Sequence, residues 1–189
     1  MYIPWRTIGL LTLLVGAAEI GGCSPKVAPA VVQAQPTFLL TATIQDLMNG
    51  QIDPSADALW DSVAYIATEA GTEDRRPQTD EQWRAIRTSA VTLIEAANLL
   101  SMAGRRVAVA DSPAGLGELR PAQIQQRIEA SHESFVQFAR ALQGAGLKAL
   151  TAIDAKDAQG LMDAGGAIDE ACEACHVAYW YPNQNRPGN

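Results

Sequence analysis

The chain has 189 residues, which is enough for one hydrophobic core and short for two ordinary domains. Hydrophobic residues make up 48% of it and aromatic residues only 6%, and this balance, together with abundant alanine, favours helices over strands. The formal net charge of −7 argues against nucleic acid as a partner, because an acidic surface repels a phosphate backbone.

The first 22 residues are typical of an export signal. One early cation, Arg6, precedes an apolar stretch that runs from Ile8 to Ala18 and is too short for a comfortable membrane span. The stretch ends in Ile-Gly-Gly-Cys, which resembles the lipobox of bacterial lipoproteins. Residues 1–22 are therefore predicted to be removed, leaving a lipid on Cys23; an ordinary secretory signal with an incidental cysteine is the alternative.

Residues 23–36 are predicted to form a flexible tether. The segment SPKVAPAVVQAQP is rich in Pro and Ala and has no helical period. By resemblance, Ser24 after the lipidated cysteine fits sorting to the outer membrane. We therefore expect a periplasmic protein anchored to a membrane by its lipid, with the outer membrane favoured.

The first predicted helix covers about residues 37–70. Within it, the segment NGQIDPSAD predicts a break or restart, with Asp53 as N-cap and Pro54 at the first helical position. After the restart, Leu59, Val63 and Ile66 are expected to line one face.

The second predicted helix begins at Thr79, whose hydroxyl can cap it in a capping box with Gln82, and ends before Gly104. Its apolar residues step by three and four and predict one buried stripe: Trp83, Ile86, Ala90, Leu93, Ala97 and Leu100. The connection that follows is long enough to cover one end of a helical bundle.

The third predicted helix opens at Pro121, and Gly144 and Gly146 predict a local kink in it. The fourth runs from about residue 157 to 179. Four amphipathic helices and no convincing strand predict an all-α fold, an antiparallel four-helix bundle over residues 37–181, followed by a C-terminal tail of residues 182–189.

The segment ACEACHVAYWYP, near the end of the fourth helix, carries the chemistry. Cys172, Cys175 and His176 match the C-x-x-C-H pattern of covalent c-type haem attachment. Residues i and i+3 share a helix face, so both sulfurs can reach one edge of a porphyrin while the neighbouring imidazole approaches the iron axially. The sequence therefore predicts one covalent haem c, with Cys172 and Cys175 as attachment residues and His176 as an axial ligand.

Three other chemistries were weighed for the two cysteines. A thioredoxin-like pair belongs at the start of a helix after a strand, where the helix N-terminus lowers the thiol pKa. A structural zinc site needs a fourth ligand, and only His132 and the lipidated Cys23 remain. A disulfide three residues apart in a helix is strained and closes almost no loop.

An export signal, a four-helix pattern and C-x-x-C-H near the C-terminus together resemble the class II c-type cytochromes, the cytochrome c′ family. The resemblance covers residues 37–181 in architecture, but its specific residues are Cys172, Cys175 and His176. It implies a single-electron carrier with a redox partner protein, and it leaves a homodimer open. The lipobox, the Pro54 interruption, the long connection and the tail depart from the family pattern.

The resemblance also places a residue of the first helix over the distal face of the iron, and Met48 stands at that position. A Met48 ligand would suit electron transfer, whereas a Met48 that only fills the core would leave the iron open to NO or a similar gas. Ile44 stands where relatives often carry an arginine. Met102 and His132 are weaker candidate ligands.

Two arginines of the long connection, Arg105 and Arg106, could pair with haem propionates or be solvated loop charges. No carboxylate pair, phosphate loop or Ser-His-Asp arrangement supports an enzyme. The leading interpretation is a monohaem electron carrier; the alternatives are a five-coordinate haem protein that binds NO or another gas without turnover, and a structural bundle that is never loaded.

Overall fold

The computed structural model describes residues 38–182. The predicted export signal (1–22), the lipidation site Cys23 and the predicted tether (23–36) lie outside the described residues, as does the tail beyond residue 182. Within residues 38–182, no helix combines the length and the apolar character needed to cross a membrane.

Most of the described chain is helical, as predicted, but one small sheet accompanies the helices. The α-helices are α1 (Ile44–Leu47), α2 (Asp53–Asp61), α3 (Asp80–Leu100), α4 (Pro121–Ala130), α5 (His132–Asp154) and α6 (Ala158–Tyr179). A π-helical turn, Met48–Ile52, joins α1 to α2, and the two strands are β1 (Ala64–Thr68) and β2 (Gly71–Arg75). Helix α5 packs against α3 and α6, and α2 packs against the same two helices.

The first helix begins at Ile44, later than the predicted residue 37, because Thr43 caps it. The hydroxyl of Thr43 accepts the Asp46 N–H at 3.0 Å, and the Asp46 carboxylate accepts the Thr43 N–H at 2.9 Å. This reciprocal pair is a capping box with Asp in place of the usual Glu.

The regular α-helix is interrupted in the segment where a break or restart is predicted, but the interruption is a π-helical turn and the chain stays helical through it. Pro54 has no N–H to donate to the carbonyl of Gly50, and the Asp53 N–H bonds instead to the carbonyl of Met48, five residues back. The sequence predicts Asp53 as an N-cap, and this is wrong. Asp53 is the first residue of α2 and has helical neighbours on both sides.

The prediction that this helix reaches residue 70 is also wrong, because a β-hairpin replaces its last part. The Ser62 hydroxyl donates to the Leu59 carbonyl at 2.7 Å, which ends the helix. The strands pair antiparallel from Ala64 opposite Arg75 to Thr68 opposite Gly71, leaving a two-residue turn. Gly71 has a φ of 132°, which a residue with a side chain rarely adopts.

Helix α3 forms as predicted. The Thr79 hydroxyl accepts the Gln82 N–H and the Gln82 side chain accepts the Thr79 N–H, both at 3.2 Å. Every residue of the predicted stripe is buried. The capping box and the spacing of apolar residues thus predicted both the start and the inner face of this helix.

The third predicted helix consists of two, α4 and α5, which are separated at Ser131. Helix α5 runs without interruption through Gly144 and Gly146, where the sequence predicts a local kink. A Cβ atom at Gly146 would lie 2.8 Å from Ile94 of α3. Gly146 therefore serves close packing between α5 and α3.

The connection between α3 and α4 closes one end of the helices, as its length indicated. Its Arg106 and Val107 carbonyls accept the N–H groups of Ile44 and Gln45, both at 2.9 Å. Arg105, only 6% exposed, donates to the Leu99 carbonyl at 2.9 Å and the Ala42 carbonyl at 2.6 Å. This guanidinium joins the end of α3 to the segment before α1.

Candidate haem attachment site

The C-x-x-C-H residues lie on the last two turns of α6, whose start is fixed by Asp157. The Asp157 carboxylate accepts the Gly160 N–H at 3.0 Å. Cys172 and Cys175 are half-buried free thiols that line the same cavity, and His176 borders it as well. The structure therefore brings the three predicted attachment residues to one apolar space.

This attachment cavity has a volume of about 230 Å3 and lies among α2, α3, α5 and α6. Its apolar walls include Ile52, Ala56, Leu100, Phe135, Phe138 and Leu142. A second cavity of about 170 Å3, bordered by Trp180 and Tyr181, shares Met48, Asp53 and His176 with it. The attachment cavity is also bordered by Asp53, Asp169 and Glu173, but most of its lining is apolar, which suits the binding of a porphyrin beside a half-buried imidazole.

Met48 is placed with the attachment residues. It is half-buried, it begins the π-helical turn, and it lines both cavities together with His176. The other sulfur and imidazole candidates lie elsewhere. The Met102 sulfur accepts a hydrogen bond from Arg105 at 3.4 Å, and His132, at the start of α5, is not among the residues lining either cavity.

The two thiols are held in their protonated form. Burial, with smaller contributions from Asp53 and Asp169, raises the pKa of Cys172 to about 11. Burial, and to a lesser extent Cys172, raises the pKa of Cys175 to about 12. Both cysteines lie near the negative C-terminal end of the α6 dipole, which also disfavours thiolate. These features are the opposite of those of a thioredoxin-like redox pair.

A structural zinc site is not supported either. Among the side chains of residues 38–182, no group of three or more His, Cys, Asp and Glu residues is arranged to hold a metal ion. Zinc in a structural site takes four protein ligands. Haem iron takes its four equatorial ligands from the porphyrin, so one or two axial side chains are sufficient. The donor set therefore fits a haem better than a bare ion.

Arg105 is not the solvated loop charge that was one of the two alternatives for it, because its side chain is buried. Its guanidinium donates to the Leu99 and Ala42 carbonyls and to the Met102 sulfur, and these three hydrogen bonds within the protein give it a structural role. Burial lowers the pKa of Arg105 from its ordinary value, but a guanidinium remains charged at neutral pH. Arg106 is exposed and lines neither of the two cavities beside His176.

Sequence reasoning did not assign Asp53 to this site, although the residue borders both cavities. Burial raises the pKa of its carboxyl above the ordinary value, against an opposing effect of His176. Trp60 donates its indole N–H to the Gly165 carbonyl at 3.0 Å, which fixes α2 against α6. A Cβ at Gly165 would lie 3.0 Å from the Trp60 ring, so the glycine at this position permits the close contact between α2 and α6.

Comparison with known proteins gives no relative from which to transfer a function. No family model, no curated protein and no solved structure matches this chain. The functional argument therefore rests on the residues and their arrangement.

The raised thiol pKa values predict slow alkylation of the chain before haem is attached. With a pKa of about 11, roughly one Cys172 in a thousand is thiolate at pH 8. We expect iodoacetamide to label Cys172 and Cys175 at least about tenfold faster in denaturant, where the pKa returns to its ordinary value. Mass spectrometry of the peptide that contains both cysteines measures the two rates. Equal rates in the folded and denatured chains would contradict the burial of the thiols.

Proposed function

We propose that this chain is a monohaem c-type cytochrome that carries single electrons in the bacterial periplasm. The observation that carries the proposal is that Cys172, Cys175, His176 and Met48 border one apolar cavity. Cys172 and Cys175 would hold the porphyrin through two thioether bonds, and His176 would be the proximal ligand. When bound, the haem supplies an iron centre that gains and loses one electron.

The chain's own residues prepare the cavity for this task. The walls formed by Phe135, Phe138 and Leu142 keep water away from the iron site and lower the local dielectric constant. Met48 would be the distal ligand, because its thioether lies beside the same cavities as the His176 imidazole. Methionine with histidine is the axial pair that raises the potential of electron-carrying cytochromes c.

The finer fold assignment belongs to the same proposal. The run from Ile44 to Asp61, α3, the α4 and α5 pair, and α6 would be the four helices of an antiparallel bundle like that of the cytochrome c′ family. The packing of α5 and α2 against both α3 and α6 supports this arrangement. The chain would act with a redox partner protein, and Cys23 would carry the lipid that holds it to the membrane, with the outer membrane favoured.

Replacing Met48 by leucine tests the carrier function. We expect the reduced wild-type protein to show sharp, split visible bands that do not change when CO is added. Met48→Leu is expected to become high-spin in most molecules, to bind CO and to have a lower reduction potential, because the thioether ligand is lost. Visible spectra and a redox titration measure these changes.

The matched control is Met162→Leu, since Met162 is a half-buried methionine of α6 that borders neither of these cavities. It is expected to keep the wild-type spectrum. A wild-type protein with a broad high-spin spectrum that shifts with CO would overturn the carrier function and favour a gas-binding protein.

A further inference from the structure

The imidazole of His176 contacts two aromatic rings that follow it in the chain. The ring centroids of His176 and Trp180 are 5.6 Å apart, and those of His176 and Tyr181 are 6.1 Å apart. The two rings are tilted by 58° and 57° to the imidazole. Such contacts restrict the rotation of the smaller ring between them.

Tyr181 is itself held by a residue of the attachment motif. Its hydroxyl donates to the Glu173 carboxylate at 2.6 Å, a distance typical of a strong hydrogen bond to a charged acceptor. Glu173 lies on α6, whereas Tyr181 is the second residue after its end, so this hydrogen bond joins the last turns of the helix to the segment that follows it. His176 lies between the two residues in the sequence.

Backbone hydrogen bonds at the end of α6 hold the main chain of the two residues that carry these rings. The N–H groups of Trp180 and Tyr181 donate to the His176 carbonyl at 2.8 and 3.1 Å. The Trp180 carbonyl accepts the Leu119 N–H at 2.8 Å, which ties this turn to the connection before α4. The rings are therefore attached to a turn that is hydrogen-bonded both to α6 and to the connection before α4.

We propose that Glu173 and Tyr181 form a latch that positions the imidazole of His176 against Trp180. The latch selects one rotamer of His176 and shields one side of its ring from water, so that a ring nitrogen faces the cofactor. Glu173 and Tyr181 are positioning residues in this proposal, since they act through His176. Its role toward the iron rests on the proposed function, whereas the restraint on the imidazole belongs to the polypeptide itself.

The restraint can be measured on the full chain without haem, as the rate at which diethyl pyrocarbonate modifies the imidazole of His176. His132 is the internal reference, because these are the two histidines of the sequence. Tyr181→Phe removes one hydrogen bond and is expected to raise the ratio of His176 to His132 modification about fivefold, and Glu173→Ala should do the same. Peptide mass mapping gives the ratio.

Two further variants separate the latch from a general loss of structure. Glu173→Gln keeps an oxygen acceptor and is expected to stay near the wild-type ratio. Tyr65→Phe makes the same change on the exposed face of the hairpin and should leave the ratio unchanged. Far-ultraviolet circular dichroism should be the same for all variants. An unchanged ratio in both Tyr181→Phe and Glu173→Ala would overturn the latch.

The second measurement is made on the matured protein. Resonance Raman spectra of the reduced Met48→Leu variant give the frequency of the iron–histidine stretching band. Adding Tyr181→Phe is expected to shift or broaden this band, and adding Glu173→Gln is expected to leave it in place. An unmoved band would overturn the role of the latch toward the iron. A chain that carries no haem but shows the expected modification ratios would retain the latch and refute the proposed function.

Discussion

Replacing both Cys172 and Cys175 by alanine is expected to abolish covalent haem attachment. Each thioether bond requires one of these sulfurs, so the double variant has no covalent link and each single variant keeps one. In a host that matures c-type cytochromes, the wild-type band on a denaturing gel should stain for haem peroxidase activity, the single variants should stain weakly, and the double variant should not stain.

The third cysteine of the sequence provides the control. Cys23→Ser is expected to keep full haem staining, because the residue lies outside the attachment motif. Under the proposed lipidation of Cys23, the same variant should no longer incorporate labelled fatty acid, whereas the wild-type protein should. Haem staining that survives in the Cys172→Ala, Cys175→Ala double variant would contradict the assigned attachment residues.

Replacing Arg105 by methionine is expected to lower the free energy of unfolding by about 2–4 kcal/mol. The side chain is buried, and its loss leaves the Ala42 and Leu99 carbonyls without this donor. The destabilised segment includes the connection that bonds the start of α1, four residues before Met48. Urea unfolding followed by circular dichroism measures the change.

Arg106→Met is the matched control, because Arg106 is the next residue and is exposed. It should change the free energy of unfolding by less than about 0.5 kcal/mol. Equal effects of the two substitutions would show that the charge of the connection matters and that the buried hydrogen bonds of Arg105 do not.

The thiol pKa values also give the chain without haem a pH dependence. A thiol whose pKa is raised by folding stabilises the folded state below the unfolded-state pKa, here near 9. That contribution is lost as the pH rises from about 9 toward 11 and 12, because unfolding then releases the two protons. In a matured protein the two sulfurs would be thioethers, which do not titrate. This loss of stability at high pH is therefore expected only of the chain without haem.

The parts of the fold that sequence reasoning predicted are those with a local signal. The capping box at Thr79 and the stripe of α3 gave that helix its start and its buried face, and the predicted fourth helix, from about residue 157 to 179, agrees with α6. Local hydrogen bonds and apolar periodicity need no knowledge of the rest of the chain.

The parts that were missed depend on competing or distant interactions. The hairpin after α2 is mostly exposed, so it has no apolar alternation to distinguish it from a continuing helix. A π-helical turn and a break in the helix can both accommodate a proline that has no N–H to donate. The sequence around Pro54 therefore does not tell the two apart. In the sequence, Arg105 looks like a solvated charge in a loop. Its burial depends on acceptors that only the fold brings near, one of them 63 positions away in the chain.

The candidate site divides in the same way. Cys172, Cys175 and His176 form a contiguous motif, so sequence alone identified them. Met48 came from resemblance, and its position beside the attachment cavity supports that choice. Asp53 and Trp60 reach the cavity only because α2 packs against α6, a contact between segments about 100 residues apart.

The mass of the denatured, matured protein tests the central claim most directly. The account predicts the mass of the polypeptide plus one haem, with the added mass on the peptide that contains Cys172, Cys175 and His176. A colourless product with the mass of the polypeptide alone, from a host that matures other c-type cytochromes, would contradict it.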